Sequence, residues 1–157
     1  MSEARGLADQ IRRAFDGDAW HGDSLIELLD GVSAKMAAAH PIKNAHSIWE
    51  LVLHIAAWDD AVLRRTRGEA VELSDEQNFP PVNDANEREW RETIEHAKHT
   101  HRELAKAVAD FPDSRLQERV PGKTESYHDF FYMFSGIVQH ELYHAGQIAL
   151  LKKAQIR

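Results

Sequence analysis

An all-α domain built as a bundle of four amphipathic helices is the architecture this sequence predicts. Three observations carry the prediction. Apolar residues recur at helical spacing through most of the chain, no stretch alternates in the manner of a strand, and two long polar connections separate the periodic segments. At 157 residues the chain suits a single domain, 1–157, whose core is large enough to fold without staples.

From Leu7 to Phe15 the apolar positions 7, 8, 11, 14 and 15 form a helical stripe that stops at Gly17. Leu25, Ile26, Leu28, Leu29 and Val32 resume the period after the break Gly17 to Gly22, so the first helix is expected to be kinked or split. Pro41 closes this region, because a proline pushes the residue before it, His40, out of the helical well. Ser47 and Glu50 read as a capping box: the serine oxygen accepts from the third helical N–H and the glutamate reaches back. The second helix starts there and runs to about Arg67, with Ile48, Leu51, His54 or Ile55, Trp58, and Ala61 or Val62 facing inward.

Residues 69–85 are acidic, contain Pro80 and Pro81 and keep no period, so a long loop is expected, of the kind that serves as a lid or contact surface. Asp84 or Asn86 can cap a third helix, whose apolar positions Trp90, Ile94, Ala97, Leu104, Val108 and Phe111 lead to Pro112. A second connection extends to Ser126. The last helix is expected from about Tyr127 to the end, with Phe130, Phe131, Phe134, Ile137, His140, Glu141, His144, Ile148 and Leu151 on one broad face.

Composition narrows the chemistry. There is no cysteine, which excludes disulfides, thiolate metal sites and a cysteine nucleophile, and leaves imidazole, carboxylate or carbonyl ligands for any ion. With 19 basic and 26 acidic residues the formal net charge is -7, which disfavours nucleic acid and anionic membranes as partners. Charges throughout the first thirty residues leave no apolar leader or spanning segment, so a cytoplasmic protein acting on a small molecule or another protein is expected.

The chemistry-bearing motif is Gln139-His140-Glu141-Leu142-Tyr143-His144 in the last helix. Two imidazoles four residues apart on a helix differ by about 40° and roughly 6 Å of rise, so their nitrogens can converge on one ion. A third ligand must come from elsewhere, and His54, on the inward stripe of the second helix, is the candidate. A lone histidine on an apolar stripe is ordinarily a hydrogen-bonded core residue. Three buried together would leave several nitrogens unpaired at about 1 to 3 kcal/mol each unless an ion or a dense network served them.

The segment also satisfies the H-E-x-x-H pattern of zinc metalloproteases, with Glu141 as general base. Against a protease, no His, Asp or Glu follows His144, and Gln147 stands where the longer motif needs glycine. Glu141 and His144 also have the spacing of half a di-iron site, but no second Glu-x-x-His lies on another helix. Gln147 shares the face of the paired histidines and is placed to orient water or an imidazole. Trp58 and Tyr143 are counted with it around the site, and Trp20 and His21, which interrupt the first helical region beside Gly22, as residues of a pocket mouth. His96, His99 and His101 crowd the third helix and read as exposed titrating residues, although His101 touches the apolar stripe.

The stretch Ser47 to His54, taken with His140-Glu141-Leu142-Tyr143-His144-Ala145-Gly146-Gln147, resembles the DinB/YfiT-like superfamily. One histidine in helix two followed by H-x-x-x-H-x-G-Q in helix four is far more specific than H-E-x-x-H alone. The resemblance implies an up-down-down-up four-helix bundle with long connecting loops, usually a homodimer. It also implies a zinc, nickel or similar divalent ion held by the matching residues His54, His140 and His144. For activity it implies either a metal-dependent transferase of low-molecular-weight thiols, such as bacillithiol or mycothiol, or a hydrolase; Glu141 is the candidate base that the H-E-x-x-H pattern offers. A metal-binding, stress-related or interaction protein without catalysis is the alternative, and fold alone does not choose between them.

Overall fold

The computed structural model describes residues 2–156, and they form helices and turns with one isolated bridge between Arg119 and Asp129. Helix α1 (Glu3–Asp16) begins four residues before the periodic stripe, because Ser2 caps it and the Asp113 carboxylate accepts from the backbone N–H of Glu3 and Ala4 at 3.0 and 2.9 Å. It ends at Gly17, whose φ of 105° few other residues tolerate. The expected split follows: α2 (Leu25–Leu29) and α3 (Ala34–Ala38) are short, capped by Ser24 and Ser33.

Helix α4 (Ile48–Thr66) starts at the Ser47–Glu50 capping box read from the sequence. The connection expected as an unstructured loop over 69–85 contains a one-turn helix, α5 (Asp75–Asn78), held by its own capping box between Ser74 and Gln77. Four residues are too short to display a helical period, which is why the pattern missed it. Asn86 caps α6 (Glu87–Ala109), and Asp113–Arg115 forms a 3₁₀ turn. Helix α7 (Phe130–Lys153) starts three residues later than expected, because the Asp129 carboxylate accepts from Tyr132 N–H and sets the boundary.

Helix α4 packs against α6 and α7, and α1 packs against the same two. The apolar core falls into two clusters. One gathers Trp49, Ile55, Trp90, Ile148 and Leu151, and the other Ile11, Val62, Leu104, Phe130 and Phe134. Between them, at one level of the long helices, buried polar side chains replace apolar ones: His54 and Asp59 from α4, His101 from α6, Glu141 and His144 from α7. The two long connections meet above this level, where Lys123 pairs with Glu72 at 2.9 Å and Gly122 closes on Ala70 so tightly that an added Cβ would stand 3.1 Å from the alanine Cβ. Among the described residues no helix is long and apolar enough to cross a membrane.

Candidate metal centre

Helix α4 carries His54 on its buried face, and α7 presents His140 and His144 one turn apart opposite it. His54 is 6% exposed and His144 7%, while His140 is half-buried. Their Nε2 atoms face one another: His140 lies 2.9 Å from His54 and 3.1 Å from His144. Each residue offers a ligand atom, and these atoms all lie within 4.8 Å of one another.

The opposite ring nitrogens decide what those Nε2 atoms are. His54 Nδ1 lies 2.7 Å from the backbone carbonyl oxygen of Asn78, and His144 Nδ1 lies 2.6 Å from Gln147 Oε1. Both partners only accept, so each Nδ1 carries the proton and each Nε2 is left with a lone pair. His140 has at most one Nε2 proton to share between the two, and its own Nδ1 is buried without a partner. Burial, the largest cause for all three, pushes each imidazole toward the neutral form, and His140, beside His144 and His54, is driven down to about 3. Neutral imidazoles with lone pairs aimed at one point fit a divalent cation, and an N–H donated away from the ion is the usual arrangement of a metal-bound histidine.

A cavity of about 240 Å³ adjoins this group. Trp58, Val62 and Arg65 line it from α4, Ile137 and His140 from α7, and Val120 from the second connection. Trp58 anchors its indole N–H on Asn78 Oδ1 at 2.8 Å, so one residue of α5 holds both His54 and the cavity wall. Phe79 is stacked between His46 and His54, with ring centroids at 3.9 and 4.1 Å.

The family model described as the DinB superfamily matches residues 19–148, a span that includes all three histidines. The chain belongs to the DinB superfamily. Comparison with curated proteins finds no match, and comparison with solved structures finds none either.

The other residues expected around the site of this DinB protein are dispersed. Gln147 bonds His144, and Tyr143, largely exposed, sets its ring edge-on to the same imidazole at 5.1 Å. Trp20, 101% exposed, and His21 line a separate surface depression with Gln10 and Arg13 of α1, not the cavity beside His140. Glu141 is fully buried, with its carboxylate in a second polar group. One step along a helix turns the side chain by about 100°, so Glu141 leaves the histidine face that its neighbour His140 occupies. A role as general base gains no support from that placement.

The second group corrects the expectation that His101 is exposed. His101 is buried against Asp59 and Glu141, its Nδ1 3.0 Å from Asp59 Oδ2 and 3.0 Å from Glu141 Oε1, and its Nε2 3.2 Å from the backbone oxygen of Ile11. Its ring stacks on Phe15 at 4.0 Å. Burial opposes charge on His101, but the Glu141 and Asp59 carboxylates outweigh it and push the imidazole up to about 10. Burial also raises both carboxyl groups. The signal was present in the sequence: His101 continues the Ala97, Leu104, Val108 stripe, and Asp59 stands between Ile55 and Val62 on the inward row of α4.

Proposed function

We propose that this protein is a divalent-metal-dependent enzyme acting on a small molecule, of thiol S-transferase or hydrolase type, with His54, His140 and His144 holding zinc or nickel. One observation carries the reading: three neutral imidazoles bring their Nε2 atoms together beside a cavity that His140 lines. Imidazole ligands suit zinc and nickel. When bound with an open position, such an ion brings the pKa of a water to about 7 or holds the thiolate of a low-molecular-weight thiol.

The chain's own residues supply the rest. Asn78 and Gln147 fix the tautomers and ring orientations of His54 and His144. Trp58, Val62 and Ile137 form an apolar wall that keeps water from the reacting groups. The cavity beside His140 favours catalysis over a purely structural metal site, which would be closed.

In the same reading the four long helices form an up-down-down-up bundle. Trp49 with Thr93 and Asp59 with His101 rise together along α4 and α6, whereas Trp58 and His54 meet His140 and His144 in opposite order on α7. Tyr143 and Leu150, both exposed on α7 and seven residues apart, offer an apolar strip for a homodimer contact.

Elemental analysis of untagged protein, beside a His140→Ala, His144→Ala variant handled identically, tests the reading. About one divalent ion per chain, lost in the variant, is expected. No stoichiometric metal in either, even after reconstitution, would overturn it and leave the histidines as hydrogen-bonding core residues.

A further inference from the structure

Arg65 is 5% exposed, and it lines the cavity beside the histidines. Its Nε and Nη2 both donate to the backbone oxygen of Val71, at 3.2 and 2.7 Å, and its guanidinium carbon stands 5.5 Å from the centre of the Trp58 ring. Among the described residues no carboxylate lies within 4.0 Å of it. Burial lowers its pKa, but a guanidinium stays charged throughout the accessible range. A buried cation hydrogen-bonded to a carbonyl and set over an aromatic face, with Glu72 acting on it only from beyond ion-pair distance, is expensive unless an anion joins it directly.

The neighbouring charges sharpen the contrast. Arg64, one residue earlier and half-buried, pairs with Glu69 at 2.8 Å. On the cavity wall Lys123 is held by Glu72, and His128 by Glu125 at 3.1 Å. Asp129, the carboxylate of that wall, spends its Oδ1 on the N-terminus of α7. Arg65 thus makes no close ion pair: Glu72, the carboxylate that acts on its charge from further off, is bonded to Lys123.

We propose that this cavity binds a small organic acid, with its apolar body against Trp58, Val62 and Ile137 and its anionic group on Arg65. The proposal deepens the reading of this cavity as the substrate site and names the substrate class. Trp58, Val62 and Arg65 stand at i, i+4 and i+7 on one face of α4, and the Trp58 ring has the Arg65 guanidinium 5.5 Å from its centre and the His140 ring at 5.9 Å. At about 240 Å³ the space is below the ~300–1,000 Å³ of drug-sized pockets, so the acid is small. Arg65 is then the residue that selects acid over neutral analogue, since a polar site built for one group rejects a partner that leaves it unpaired.

The test uses the full-length chain, metal-stripped and as purified, titrated with 3-phenylpropionate and hexanoate and with their neutral amides, followed by NMR shifts at millimolar concentration. The acids are expected to bind at least about tenfold more tightly than the amides in the metal-free chain, with Arg65→Gln removing the preference and Arg65→Lys keeping part of it. The acid and amide comparison on the unaltered chain stands even where Arg65→Gln does not fold. Equal binding of acid and amide, or no binding of either, overturns the proposal, as does a preference that arises only with bound metal and survives Arg65→Gln. A chain that takes up no metal but keeps the acid preference would sink the metal-dependent reading and leave this one standing.

Discussion

His54 Nδ1 donates to the backbone carbonyl of Asn78 at 2.7 Å, so a histidine in the middle of α4 is aimed by a residue in the connection that follows it. Because the acceptor is a main-chain oxygen, this bond depends on α5 holding its place, which the Asn78 side chain supports through Trp58. Phe79, stacked on His54 and His46, is the part of α5's surroundings that anchors it apolarly.

Phe79→Ala should therefore loosen the connection. A loss of about 1 to 2 kcal/mol in urea unfolding is expected for a half-buried aromatic, with faster proteolysis within residues 69–86 and weaker metal uptake. Unchanged proteolysis in that segment would show that Ser74 and Gln77 hold α5 without the aromatic.

Gln147→Ala removes the acceptor that fixes the His144 tautomer. Metal affinity should fall about 10- to 100-fold while the fold persists, since the side chain is only half-buried. Competition titration against a chromogenic chelator measures this. Affinity equal to that of the unaltered chain would leave His144 oriented by packing alone.

His101 makes stability decline on the alkaline side. Its folded value of about 10 exceeds the ordinary 6.5, so its contribution is complete below about 6.5 and is lost as pH rises through about 10. Burial raises the Asp59 and Glu141 carboxyl groups as well, Glu141 to about 8, and a raised carboxyl acts with the same sign. Urea midpoints of the metal-free chain should fall between pH 7 and 10, by at most about 1.4 kcal/mol per pH unit for each proton. A flat profile would mean that His101 is neutral in the fold.

Removing the imidazole is the harsher change. His101→Ala leaves two buried carboxyl groups without their cation and should cost about 3 to 5 kcal/mol. Glu141→Gln keeps the shape and a donor toward Asp59, so a loss of about 1 kcal/mol with unchanged metal content is expected. Retained metal with abolished turnover would instead give Glu141 the role of base.

The long helices were legible because twelve or more residues of apolar period outweigh local ambiguity, and Ser47 with Glu50 announced the start of α4 by chemistry that needs no tertiary context. The convergence of His54 with His140 and His144 was legible because helical spacing fixes direction. What escaped depends on contacts across the chain. Asn78 serves His54 through a backbone atom, which leaves no trace in residue identity. Glu141 carries the same letter whether it faces an ion or the core, and its partners Asp59 and His101 sit on two other helices. Arg65 is indistinguishable in sequence from its more open neighbour Arg64 until burial separates them.

His140 and Glu141, adjacent in the chain, are committed to two different polar groups on either side of α7. A roll of 100° that brought the Glu141 carboxylate to the place of His140 would carry His140 to the exposed place of Gln139 and His144 to that of Tyr143, so both groups would fail together. The Ile- and Leu-rich surfaces on either side are forgiving of such slips, because apolar side chains repack at small cost. The polar waist works as a key with two teeth cut at different angles, and it admits α7 at a single depth and rotation.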